Sequence, residues 1–71
     1  MITFEQISKN LQEELKTSGL SQAEIARRMN LSSHTIHCYF HGKKVPALDT
    51  FANLCKVLDL DPIQILCLDK N

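Results

Sequence analysis

The sequence predicts an all-α fold, a compact bundle of five helices in a single domain over residues 1–71. Three observations support this prediction. Apolar residues make up 44% of the 71-residue chain, which is enough for one small core. Two glycines and two prolines are too few for the many tight turns of a small β-sandwich or barrel. Capping residues and stop signals divide the chain into five segments, most of them with helical periodicity.

The first helix is predicted over residues 3–18. Its apolar positions recur at intervals of three and four residues, the pattern of a helix with one buried face: Phe4, Ile7, Leu11 and Leu15. Thr3 followed by Gln6 forms a capping box at its start. Gly19 supplies a left-handed residue at its end.

The second and third helices are predicted to follow at once and to lie at a steep angle. Ser21 and Glu24 form another capping box, and the second helix ends near Asn30, which tolerates the left-handed conformation. The third helix covers residues 32–41, from the N-cap Ser32 to the residue before Gly42. About three residues join the two helices, too few for side-by-side antiparallel packing. This is the spacing of a helix-turn-helix.

The fourth helix is predicted over residues 47–58, with a weak start because Ala47 has no capping side chain. Its expected buried residues are Leu48, Phe51, Leu54, Cys55 and Leu58. Asp61 and Pro62 announce a short fifth helix over residues 62–68, as an N-cap residue and a proline at the first helical position.

The segment from position 22 to position 41 separates apolar from polar side chains. Ala26 is small enough to lie where the third helix crosses the second. The residues expected to fix the crossing are apolar: Ile25, Met29, Leu31, Ile36 and Tyr39. Those left on the outer side of the third helix are able to reach the edges of bases: Ser33, His34, His37, Cys38 and His41.

These features together resemble the Cro/repressor-type (XRE-like) helix-turn-helix family, the lambda-repressor-like DNA-binding domain of phage repressors and small bacterial regulators. The resemblance covers about residues 11–66. Its most specific parts are GLSQAEIA at 19–26, Thr35-Ile36, Gly42-Lys43, and the apolar helix before Asp61-Pro62. It implies a regulator of transcription that binds a specific double-stranded DNA site, with residues 32–41 as the recognition helix in the major groove.

The resemblance also implies roles for individual side chains. The residues expected to contact bases are Ser32, Ser33, His34, His37 and Cys38. Those expected to contact phosphates are Gln22, His41, Lys43 and Lys44. Of these, Gln22 opens the second helix, where free backbone amides also favour an anion. The three histidines and one cysteine are unusual for the family, so no base preference follows from them.

The sequence leaves two other functions open. A protein-interaction module of the same fold, like an antitoxin or an anti-repressor, would use the same surface for a protein partner. A metal-responsive regulator would use the donors spaced three and four residues apart on the third helix: His34, His37, Cys38 and His41. We expect no metal, no cofactor and no small-molecule substrate. We also expect no enzymatic activity, because so short a chain leaves no shell around a catalytic group.

The apolar end of the chain predicts a homodimer on a palindromic site. One recognition helix contacts too few base pairs for specificity, and such domains bind half-sites about 34 Å apart. We expect Ile63 and Leu66 to be buried. Ile65 and Leu68 are then left to form a two-fold contact.

The cysteine content bears on the compartment of the protein. Three cysteines and no signal-peptide pattern or apolar span predict a cytoplasmic protein without a membrane partner.

The chain is neutral overall, with eight basic and eight acidic residues. Between positions 21 and 44, however, Glu24 stands alone against four basic residues, a net charge of +3: Arg27, Arg28, Lys43 and Lys44. Neutrality therefore does not exclude DNA as the partner.

Overall fold

Five helices and no strand are present in the computed structural model, which describes residues 1–69. The predicted all-α class is confirmed. The helices are α1 (Phe4–Thr17), α2 (Gln22–Met29), α3 (Ser33–Phe40), α4 (Leu48–Leu58) and α5 (Pro62–Ile65). The Cα radius of gyration is 11.4 Å, close to the ~11 Å expected of a folded chain of this length.

Four helices begin at the N-cap residues that the sequence predicts. The side chains of Thr3, Ser21, Ser32 and Asp61 each accept a hydrogen bond from a backbone amide in the first turn. Only Thr3 forms the full reciprocal capping box. Ala47 begins α4 without a side-chain cap, as predicted.

The helix ends use left-handed residues. Gly19 and Gly42 have φ of 81° and 70°, and Asn30, the C-cap of α2, has φ of 56°. The predicted helix ends are therefore confirmed at all three positions. Asp59 adds a fourth, at the end of α4, with φ of 55°.

One core joins all five helices. The largest fully buried side chains are Leu11, Leu15, Ile25, Ile36, Leu54 and Ile65. These six residues come from every helix in turn, so even the four-residue α5 contributes to the core. Tyr39, Phe40 and Phe51 complete its aromatic part.

In α1 and α4, two residues predicted to be buried are exposed. Phe4 is 51% exposed and Leu48 is 83% exposed. Each is the first residue of its helix, α1 and α4, and lies about one turn before the first residue of that helix that packs on the core, Ile7 or Phe51. Cys55 and Leu58, also predicted to be buried, are half-buried at the edge of the core.

The carboxyl end differs most from prediction. The fifth helix stops at Ile65 rather than at Leu68. Ile65 is 0% exposed, whereas Ile63, which was predicted to be buried, is 55% exposed. The Asn10 side-chain amide donates to the carbonyl oxygens of Gln64 (3.3 Å) and Ile65 (3.2 Å), which holds the end of α5 against α1. Docking in this way turns Ile65 inward.

The predicted dimer contact at Ile65 is therefore wrong, because its side chain is enclosed in the core of its own chain. Leu68 is 55% exposed, and its part in a dimer stays a prediction. Within the described residues, none of the helices has the length and apolar character needed to cross a membrane.

The opposite burial of two isoleucines gives a matched test of how α5 docks. We expect Ile65→Ala to lower the free energy of unfolding by about 2–5 kcal/mol, because it leaves a cavity in the core. Ile63→Ala removes an exposed side chain and should change it by less than about 0.5 kcal/mol. Urea titrations followed by circular dichroism measure both. Equal losses for the two variants would contradict this docking.

Candidate nucleic-acid interface

The turn between α2 and α3 has the tight geometry that the sequence predicts. Residues 30–32 make the whole connection. The amide of Asn30 donates to the Arg27 carbonyl oxygen at 3.3 Å, and the amide of Leu31 donates to that of Ala26 at 3.0 Å. Ala26 itself is buried between the helices. The backbone carbonyls at the end of α2 are thus satisfied as the chain turns into α3.

The third helix has one buried side and one exposed polar side. Its buried residues Ile36, Tyr39 and Phe40 belong to the core. The exposed residues of α3 and its C-cap are all polar: Ser33, His34, His37 and His41. Four of the predicted contact residues therefore lie on the surface beside the turn.

Ser32, a predicted base contact, has a structural task. Its hydroxyl accepts a hydrogen bond from the Thr35 amide at 3.1 Å and lies 2.8 Å from the Thr35 hydroxyl. Both interactions hold the first turn of α3. Ser32 is exposed, so contact with DNA stays a prediction, but its side chain also serves as the N-cap.

Cys38 does not lie on the exposed side of α3, as the sequence predicted. The residue is only 7% exposed, and its Sγ lies 3.7 Å from His34 Nε2. Cys38 is not part of the core cluster, so its small side chain is covered at the border between the buried and the exposed side of α3. The prediction that Cys38 contacts bases is therefore wrong in the free chain.

The other two imidazoles of this surface lie together. The rings of His37 and His41 have centroids 4.2 Å apart and are tilted by 42°. Partial desolvation lowers the pKa of His37 below its usual 6.5, and the charges of His41, Lys43 and His34 lower it further. His37 is therefore mainly neutral at pH 7. A neutral imidazole offers one donor and one acceptor, and it adds no positive charge.

The predicted phosphate contacts flank α3 along the chain. Gln22 is the first residue of α2, where backbone amides point out of the helix. Lys43 and Lys44 are exposed in the loop after Gly42. The Lys43 amide donates to the Cys38 carbonyl oxygen at 2.9 Å, which ties this loop to the end of α3.

A cluster of ion pairs on α2 was not predicted from the sequence. Arg28 Nε lies 2.8 Å from Glu24 Oε2, and Arg27 Nε lies 3.2 Å from Glu24 Oε1. Hydrogen bonds from both arginines, with the larger effect from Arg27, lower the pKa of Glu24 to about 2. The Ser-x-x-Glu pattern predicted that Glu24 would close a capping box. The spacing of three and four residues to two arginines was the signal for this alternative.

The four donors of α3 do not form one metal site. Among residues 1–69, no group of three or more His, Cys, Asp or Glu side chains converges. The donors instead form two pairs, His34 with Cys38 and His37 with His41. A regulator that binds its metal through all four, one alternative from the sequence, is therefore not supported.

Most of the chain, including this surface, matches one known protein family. Residues 10–71 match a family described as a Cro/C1-type HTH DNA-binding domain. The match includes α2, the turn, α3 and the basic loop. No curated protein and no solved structure matches the chain.

The capping role of Ser32 can be tested by comparing it with its neighbour Ser33. We expect Ser32→Ala to lower the free energy of unfolding by about 1 kcal/mol, because the N-cap of α3 is lost. Ser33→Ala, on the exposed side of the same turn, should change it by less than about 0.5 kcal/mol. Thermal or urea unfolding distinguishes them. A Ser32→Ala chain as stable as the parent would show that the cap contributes nothing.

Proposed function

Since the chain belongs to the Cro/C1-type helix-turn-helix DNA-binding family, we propose that it is a small bacterial or phage regulator of transcription. It binds a specific double-stranded DNA site with α3 in the major groove. The main support is the division of α3 into a buried apolar side and an exposed polar side. The helix is thus fixed by the core while its outer residues stay free for a partner.

Specificity in this proposal comes from Ser33, His34 and His37. All three are exposed on α3. A neutral imidazole can donate to a guanine or thymine oxygen or accept from an adenine or cytosine amino group, so it suits several bases. The choice of base then depends on the position of each ring in the groove.

Affinity comes from contacts to phosphates. Gln22, His41, Lys43 and Lys44 flank the recognition helix on both sides in the chain. The charge available is modest, because Glu24 binds both Arg27 and Arg28. Weak non-specific binding is the expected consequence, since this binding depends on basic groups that displace counterions.

We propose that the chain acts as a homodimer on a palindromic site, because one helix of this size contacts only four or five base pairs. Leu68 is the remaining predicted contact. The proposal includes no enzymatic activity and no cofactor. Binding to chromosomal DNA, together with three free cysteines, supports the cytoplasm as its location.

Selection from random duplexes at fixed salt tests the function directly. We expect one enriched motif with two-fold symmetry and half-sites about 34 Å apart. Enrichment of a single asymmetric half-site would refute the dimer and keep the DNA-binding function. Absence of any enriched sequence would refute the proposed function.

A protein-interaction module is the second candidate, and one feature favours a module that binds its partner elsewhere than on the surface of α3. Two apolar grooves lie on either side of Leu48, and neither is lined by a residue of α2 or α3. A protein partner could therefore bind away from the recognition helix. Salt dependence distinguishes the two functions, because neutralising Z phosphates gives a log–log slope near −0.9Z, steeper than a largely apolar contact.

Base and phosphate contacts should respond differently to substitution. We expect His37→Ala to cost about 0.5–1.5 kcal/mol of discrimination between the selected site and a mismatched one, because one hydrogen bond to a base is lost. Lys43→Gln should weaken binding to both duplexes alike and make the salt slope shallower by about 0.9 for each Lys43 that contacts a phosphate, or about 1.8 for the homodimer. Fluorescence anisotropy at several salt concentrations measures both quantities. A His37→Ala chain that discriminates as well as the parent would remove His37 from the base-contacting residues.

The Glu24 cluster predicts a gain of binding. Glu24→Gln keeps the size of the side chain and removes its charge, which frees Arg27 and Arg28. We expect tighter binding to random-sequence DNA and a salt slope steeper by up to about 0.9 for each arginine that reaches a phosphate. Glu13→Gln, which removes the same charge from an exposed position on α1, is the control. Equal effects of the two variants would indicate net charge alone.

A further inference from the structure

His34 and Cys38 form a close pair of metal-binding groups, and the proposed DNA recognition gives no role to the thiol. They lie one turn apart on α3, and Nε2 of the imidazole is 3.7 Å from Sγ of the thiol. Imidazole nitrogen and thiolate sulfur are the two protein ligands that soft and borderline metal ions prefer. In the metal-free chain the same two atoms are within hydrogen-bonding distance.

The distance between the two atoms suits a shared ion. Bonds to a first-row d10 ion are about 2.0 Å for imidazole nitrogen and about 2.3 Å for thiolate sulfur. With these lengths, a nitrogen-to-sulfur separation of 3.7 Å corresponds to an angle at the ion of about 120°. This is the angle of a trigonal site. An ion could therefore bind without any change in the backbone of α3.

The number of donors decides between ions. Zinc in proteins usually takes three or four protein ligands, and among residues 1–69 no third donor joins this pair. His37 and His41 lie against each other instead. A metal ion that is stable with only two or three ligands, at least one of them soft, suits this pair better than zinc does.

We propose that His34 and Cys38 form a two-donor site for a thiophilic monovalent cation of the Cu(I) class, with the third position open to a small ligand from solvent. Binding replaces the thiol proton by the ion, so one proton is released for each ion bound. Cys38 is 7% exposed while His34 is exposed, so the ion enters from the side of the imidazole.

The site does not depend on the proposed function, because it lies within one helix of the free chain. It does affect that function, since a bound ion occupies Nε2 of His34, one of the proposed base-contacting groups. Metal binding and DNA binding are therefore measured separately, and failure of one leaves the other standing.

The test uses the full chain with Cys55→Ser and Cys67→Ser, which leaves Cys38 as the single thiol. Anaerobic titration with Cu(I) held in a competing chelator gives stoichiometry and affinity, and NMR reports the His34 ring. We expect one ion per chain and a shifted His34 resonance. His34→Ala should weaken binding by roughly 10²-fold or more, because the second donor held at short range is lost.

His41→Ala is the matched control, since it removes an exposed imidazole next to α3 that lies outside the pair; its affinity should stay within about twofold of the parent. Circular dichroism checks that each variant is folded. The NMR measurement is repeated on the chain with all three cysteines, in case the serine substitutions disturb the core. Equal affinities of the His34→Ala chain and the parent would overturn the site, as would an unshifted His34 ring in the loaded protein.

Discussion

The direction of α3 depends on one left-handed residue, Asn30. Its φ of 56° ends α2, and the chain enters α3 within three residues. The amides of Asn30 and Leu31 then satisfy carbonyl groups at the end of α2. Ala26, Ile25 and Ile36 are all buried in the core on either side of this turn. Without this turn, the polar side of α3 would have no fixed orientation relative to Gln22 at the start of α2.

Local signals explain why so much of the fold was predictable. An N-cap depends on two or three neighbouring residues, so Thr3, Ser21, Ser32 and Asp61 were identified from the sequence alone. The left-handed ends and the helix-turn-helix spacing are equally local. The family resemblance rested on these same short segments, and the family match confirmed it.

The errors arose where burial depends on distant residues. A helix of four residues has no apolar stripe, so nothing in the sequence of α5 indicated that Ile65 is the buried one. That result depends on Asn10, more than fifty positions earlier. The exposure of Cys38 was predicted wrongly because this residue lies at the border between the two sides of α3. At that border, the periodicity of the sequence does not determine whether a side chain is buried or exposed. Glu24 has the spacing to close a capping box at Ser21 and also the spacing to pair with Arg27 and Arg28. Spacing alone does not show which of the two forms.

The division of α3 into core residues and surface residues affects how the binding preference of such a protein can evolve. Ile36, Tyr39 and Phe40 maintain the core, whereas Ser33, His34 and His37 contribute almost nothing to it. The outer positions can therefore vary with little loss of folding stability. A new binding preference could arise by single steps through stable intermediates, and a library randomised at these three positions should consist mostly of folded proteins.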